Sequence, residues 1–405
     1  MKGSLSKKIF AAVAAFYLLY VTLPIFGQLL PLSIQYVSVF VTVAIILTCP
    51  KAFFNKPTLW LVVYFGVLSV YLLFGKTLTI SSISDEKGNM FKMLMEMAFI
   101  LPAFSIMCVV YYFKDKKLIR FLFYTVIAGL TTSFLYLIPL TIADPNILRS
   151  AMHAEDLDIY VPGAPRYSLM HAYVIIAAPA LYACMVQKGK SKYYFIAFFA
   201  MLTYMILRSY IATTIILFLG VLGAAFVKGT GAHSHTVMRV MLVAAVFIVF
   251  VGLGGLSSLY DSTYSFFEGS YAQGKMDQLG AVMSGRDVND NSLSERQFLH
   301  TISWRCFLTN PITGYPKIGG HSNFLDRLGG MGLLCFIPYL MLLISIFQLF
   351  RNELINTPYT RYYYMIGVVI VFVLLYEKGL FSYEGWTFYS AVLPIASIYL
   401  SDYER

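Results

Sequence analysis

Twelve candidate membrane-crossing stretches constrain what this chain can fold into more than any other feature of its sequence. They cover residues 9–27, 32–49, 57–74, 92–113, 119–141, 168–186, 193–207, 211–227, 237–256, 323–350, 362–376 and 383–400. A helix needs roughly 20 apolar residues to span the hydrocarbon layer. In lipid no backbone amide can go unpaired, which leaves only helices or a closed barrel. The length of the stretches and their lack of strict alternation select helices. The composition, 59% hydrophobic and 12% charged over 405 residues, excludes an ordinary soluble domain. An all-α polytopic membrane protein of about 12 transmembrane helices is expected. Lys7 and Lys8 suggest a signal peptide, but no small-residue cleavage site follows cleanly, so the first stretch is read as an uncleaved helix.

Orientation follows from the lysines and arginines between the stretches. With the N-terminus inside, the cytoplasmic segments hold 17 of the 30 basic residues and only four of the 20 acids. The formal net charge of +10 then splits into about +13 inside and −3 outside. The excess is topogenic, so it does not argue for nucleic acid as a partner. Lysine and arginine separate further. Twelve of 18 lysines lie inside, but seven of 12 arginines lie outside: Arg149, Arg166, Arg208, Arg286, Arg296, Arg305 and Arg327. Topology does not ask for outward arginines. Forked recognition of phosphate is one reason for them, and salt bridges to the outer acids are the other.

The chain divides into a bundle of about nine spans (1–256), a polar loop (257–322) and about three further spans (323–405). Two shorter outer loops, 75–91 and 142–167, interrupt the first part. The first reads as an exposed cap. The second is rich in Pro and Gly, reads as irregular, and delivers Arg166 to the top of the sixth span. In the long outer loop, Ser292-Leu293-Ser294-Glu295 fits a capping box that opens a helix. That helix should run to Thr309 and stop at Asn310-Pro311.

Arg296 falls in its first turn, where a helix N-terminus plus a guanidinium makes a seat for a phosphate oxygen. His300, one turn on, either joins that site or caps the fold of the loop. Asp287, Asn289 and Asp290 carry oxygen ligands but lack a full cation-binding pattern, and read first as turn formers. Arg208-Ser209-Tyr210 is a tight outer turn, so Arg208 either meets a lipid-borne phosphate or snorkels to the interface. Cys49, Cys108, Cys184 and Cys335 lie in or at spans and Cys306 stands in the loop, with no disulfide framework. His233 and His235 read as solvated loop residues rather than metal ligands.

The segment His321-Ser322-Asn323-Phe324-Leu325-Asp326-Arg327-Leu328-Gly329-Gly330-Met331-Gly332 resembles the His-x10-Gly signature of bacterial O-antigen polymerases and the His-Asn segment of O-antigen ligases. Both belong to one superfamily of polysaccharide polymerases and ligases. The likeness covers the topology of most of the chain, and in residues mainly 200–335. Arg208 matches an arginine in the tight turn after the seventh span, Arg296 one that opens a loop helix ending near Asn-Pro, and Arg166 one in an outer loop. Ten residues past Arg166 comes Ala177 rather than the glycine of the polymerase pattern.

The resemblance implies a fold like the polytopic lipid-dependent glycosyltransferases (GT-C-like), with a periplasmic site in the bacterial inner membrane and both termini cytoplasmic. It implies a glycosyltransferase whose donor is an undecaprenyl-diphosphate-linked glycan, with a separate chain-length regulator as a possible partner. Arg166, Arg208, Arg286 and Arg296 would bind the diphosphate, Asn323 and Arg305 would support, and no cofactor or metal is implied. His321 and Arg296 would be the catalytic pair. Arg296 would stabilise the charge left on the diphosphate, and His321 would act as the base, unless His321 merely caps the helix that opens the tenth span. Polymerase and ligase differ only in acceptor. The His-x10-Gly spacing and the short, Tyr-rich outer loops favour the polymerase, with the ligase, which transfers the glycan to lipid A-core, as the alternative. A transporter of lipid-linked sugars is the rival from another class, with Glu96, Glu377 and Lys378 as the charges that would favour it.

Overall fold

The computed structural model describes residues 2–30, 32–74, 79–80, 89–144, 146–153, 161–228, 273, 292–315, 317–355, 357–377 and 382–403. The ninth stretch, most of the long loop, His233, His235, Arg286, Asp287, Asn289, Asp290 and Lys378 lie outside the described residues. The described chain is almost entirely helical: α1 (Lys2–Thr22), α2 (Pro24–Leu29), α3 (Ile34–Thr48), α4 (Lys56–Leu73), α5 (Asn89–Phe113), α6 (Lys116–Ala143), α7 (Ile147–His153) and α8 (Tyr167–Val186). It continues with α9 (Lys190–Arg208), α10 (Ala212–Lys228), α11 (Ser292–Thr309), α12 (Asn323–Glu353), α13 (Pro358–Glu377), α14 (Tyr383–Thr387) and α15 (Leu393–Ser401).

Six of these helices contain stretches long and apolar enough to cross a membrane: Leu5–Thr22 of α1, then α4, α6, α8, α12 and α13. Three shorter apolar helices follow them, Ile34–Thr48, Met97–Phe113 and Thr213–Ala225. An all-α architecture with several membrane-length apolar helices is therefore established. Two other expected spans have a different character. Helix α9 carries Lys190, Lys192 and Arg208 at its ends. The last stretch is divided by a π-helical turn at Phe388–Val392, and every residue from Glu384 to Ser401 is buried. It is enclosed by protein, as is most of α8, 83% of whose apolar window is buried. The first stretch is not one helix either. α1 stops at Thr22 and the chain restarts at Pro24, whose ring nitrogen has no hydrogen to donate to the preceding turn. The outer loop 142–167, expected to be irregular, contains the short helix α7.

Contacts fix which helix ends lie together. Lys7 pairs with Asp115 at 2.7 Å, Lys114 with Glu353 at 3.2 Å and Lys116 with Asp402 at 2.6 Å. The start of α1, the α5–α6 turn, the end of α12 and the end of α15 thus share one end of the bundle. At the other end the Gly163 amide donates to Gln28 Oε1 at 2.6 Å, and Thr141 on α6 bonds Tyr204 on α9 at 3.1 Å. The starts of α8, α12 and α14 and the ends of α4, α6 and α9 belong to this second end.

The long loop is tied down here in a way the sequence did not suggest. Thr79–Ile80 from the first outer loop pairs in parallel with Lys317–Ile318. Gly319 then passes so close to α11 that a Cβ on it would lie 2.1 Å from the Leu299 carbonyl oxygen. Helix α12 itself is interrupted at Gly332, which has φ 64° and ψ −171°. The turn after α11 fills the break. Leu333 and Leu334 donate to the carbonyls of Pro311 and Ile312 at 2.9 and 3.1 Å, and Tyr315 donates to Gly329 at 2.8 Å. The Tyr71 hydroxyl donates to the Met331 carbonyl at 2.7 Å.

Candidate functional site

His321 stands immediately before α12, and its backbone is held from both sides by one carboxylate. Asp326, buried in the first turns of α12, accepts from the Gly320 amide at 3.1 Å through Oδ1 and from the Ser322 amide at 3.0 Å through Oδ2. Ser303 on α11 completes the clamp. Its hydroxyl donates to Asp326 Oδ1 at 2.5 Å and accepts from the Gly319 amide at 2.9 Å. Charge-assisted bonds of this kind are about twice as strong as neutral ones, so the four residues 319–322 are fixed between α11 and α12. The cap of α12 is Ser322, whose hydroxyl accepts from the Leu325 amide at 3.2 Å. His321 therefore does not cap α12.

A second imidazole joins it. The rings of His300 and His321 are 5.9 Å apart, and the His300 ring is 5.6 Å from that of Tyr376 on α13. His300 Nε2 is buried with no hydrogen-bond partner among the described residues. The sequence left open whether His300 belonged to the site or to the fold of the loop. The structure places it beside His321 and within electrostatic reach of Asp326.

The arginines divide. Arg296 is the fifth residue of α11, just past the first turn expected for it, and one turn before His300. Arg208 ends α9 at the same end of the bundle; it donates to the Tyr210 hydroxyl at 2.9 Å and lies over the Tyr204 ring at 5.6 Å. Arg166 is exposed at the N-cap of α8 and lines a cavity of about 90 Å³. Arg305 is exposed on α11. Arg286 lies outside the described residues.

Arg327, grouped by sequence with the outward arginines, is buried. It sits 4.1 Å from the centre of the Tyr339 ring, donates to Tyr64, and bonds Asn323 Oδ1 at 3.0 Å. Tyr339 donates to the same Asn323 oxygen at 2.8 Å. Charge and sidedness alone do not reveal this placement. Burial against two aromatic faces gives a guanidinium another use. Asn323 accordingly joins the packing of α12 against α4.

Neither a protein-family model nor a curated protein matches this chain.

Among the described residues no group of three or more His, Cys, Asp or Glu side chains is placed to hold a metal ion. Cys306 is not an activated nucleophile. Burial, and then the nearby Asp326 charge, push its thiol above its ordinary value. Sequence reasoning missed Ser303, Asp326 and Tyr376. An acid in the first turns of a helix was a signal for Asp326, but Ser303 and Tyr376 meet it and His321 only through tertiary packing.

The clamp makes a local prediction. Asp326→Ala leaves the Gly320 and Ser322 amides without their acceptor, at about 1–3 kcal/mol for each unsatisfied donor. Deuterium exchange at residues 319–322 should quicken by about ten-fold or more while exchange in α8 stays as it was. Unchanged protection at these amides would show that the carboxylate does not hold the segment.

Proposed function

We propose that this protein is a polytopic glycosyltransferase that joins undecaprenyl-diphosphate-linked glycan units into a surface polysaccharide at the outer face of the bacterial inner membrane. The observation that carries this reading is His321, which does not cap α12 and whose backbone is seated by Asp326 and Ser303, at the bundle end that also holds Arg208. A base held in one geometry, with cations at the same end, suits attack of a hydroxyl on a carbon bearing an anionic leaving group.

In this reading His321 takes the proton from the acceptor hydroxyl as its oxygen attacks the anomeric carbon. The bond to the diphosphate breaks on the opposite side, its electron pair leaving with the phosphate oxygen, and the configuration inverts. Arg208 and Arg296, with Arg286 from the loop, stabilise the charge that gathers on the lipid diphosphate. The lipid tail lies in the bilayer against the apolar helices. The broken helix α12 is what a transporter would use to hold its cargo. Here the amides and carbonyls at the break are bonded to the 311–315 turn and to Tyr71. That favours transfer over transport.

A product assay tests the reading. Purified protein with a lipid-diphosphate-linked repeat unit is expected to yield a ladder of longer lipid-linked glycans, about 10²–10³-fold slower in Arg208→Ala. Transfer only after adding lipid A-core would make the chain a ligase. Donor movement across proteoliposomes with no transfer would overturn the glycosyltransferase reading.

A further inference from the structure

The cavity beside Arg166 contains a second charge that the proposed reaction leaves unused. Glu384, in the first turn of α14, is 2% exposed, and its Oε2 has no hydrogen-bond partner among the described residues. It lines the cavity together with Arg166, Tyr20, Gln28 and Tyr383. No ion pair joins Glu384 to Arg166, although both face the same space. The walls are fixed. Tyr20 donates to the Leu32 carbonyl at 2.9 Å, Gln28 accepts from Gly163 at 2.6 Å, and the Tyr383 ring lies 5.6 Å from that of Phe99.

The Tyr383 side chain bonds this carboxylate. A buried carboxylate oxygen left without a donor, as Oε2 is, is nonetheless costly, and it persists where a ligand supplies the missing donor. We propose that this cavity is a glycan subsite. Sugar hydroxyls donate to Glu384, Arg166 donates to sugar oxygens, and the tyrosine rings cover the apolar face of the sugar. A phosphate here would set like charge against Glu384, whereas a neutral polyol satisfies both groups at once. The inference rests on the reading above for its substrate class. It also moves Arg166 from the diphosphate to the sugar, leaving the diphosphate to Arg208, Arg296 and Arg286.

Binding separates this subsite from the reaction. Saturation-transfer NMR on the full-length protein in detergent would use methyl glycosides of glucose, galactose, N-acetylglucosamine and rhamnose, with inorganic pyrophosphate titrated separately. At least one glycoside should bind, about ten-fold more weakly in Glu384→Gln and in Arg166→Ala. Pyrophosphate binding should weaken in Arg208→Ala and hold in Glu384→Gln. The glutamine has the same shape and removes a buried charge, so an unfolding midpoint at or above wild type is expected and separates lost binding from lost fold.

No glycoside depending on Glu384, or pyrophosphate binding that needs Arg166 and tightens in Glu384→Gln, would overturn the subsite. Glutamate-dependent glycoside binding in a protein that makes no glycan ladder would uphold it and sink the transferase reading. A ladder undiminished in Glu384→Gln would do the reverse.

Discussion

Gly332→Ala should destabilise this protein strongly. At φ 64° and ψ −171° the residue occupies a backbone region that is essentially reserved for glycine. A methyl group there would lie 2.4 Å from the Ile312 carbonyl oxygen and 2.6 Å from the Gly314 nitrogen. These are backbone atoms of the turn that fills the break in α12, and they cannot swing aside as a side chain would. The backbone strain costs about 1–3 kcal/mol and displacing the turn about as much again, a large share of the roughly 5–15 kcal/mol that holds a domain together. Gly66→Ala is the control. It lies within α4 with nothing near its added methyl, and alanine is favoured there by about 1 kcal/mol. Thermal unfolding in detergent should separate the two by several degrees. Equal midpoints would mean that α12 runs straight through residue 332.

That position also shows what the sequence could and could not convey. The spacing from His321 to Gly332 was visible, but not its cause: the glycine breaks a helix so that residues 311–315 can dock. The boundaries of α11, Ser292–Thr309, were legible because a local capping pattern and Asn310-Pro311 define them within a few residues. Apolar periodicity and length likewise conveyed the all-helical class. The failures are all tertiary. Arg327 has the charge of an outward arginine, yet Tyr64 and Tyr339, far away in sequence, take it inside. Glu384 looked like part of an apolar span, and only its burial against the Arg166 cavity gives it meaning. The pairing of residues 79–80 with 317–318 joins two loops that carry no mutual signal.

His321→Ala should slow glycan transfer by about 10²–10⁴-fold, the usual worth of a positioned general base. The loss should fall on kcat more than on KM, because the imidazole acts on the proton in flight and not on the diphosphate that anchors the donor. Two neighbours make the result interpretable. Ser322→Ala removes the α12 cap, worth about 1 kcal/mol of stability, and should lower the unfolding midpoint while leaving most of the activity. His300→Ala removes the ring 5.9 Å from His321. It should cost less than His321→Ala, since it removes a neighbour of the proposed base and not the base itself. If His321→Ala and Ser322→Ala lose activity in proportion to lost stability, residue 321 is a structural element and the base lies elsewhere. A collapse in rate for His321→Ala at wild-type stability, with Ser322→Ala still active, would tie the chemistry to this imidazole. The carboxylate of Asp326 would then act through it, as the group that holds its backbone.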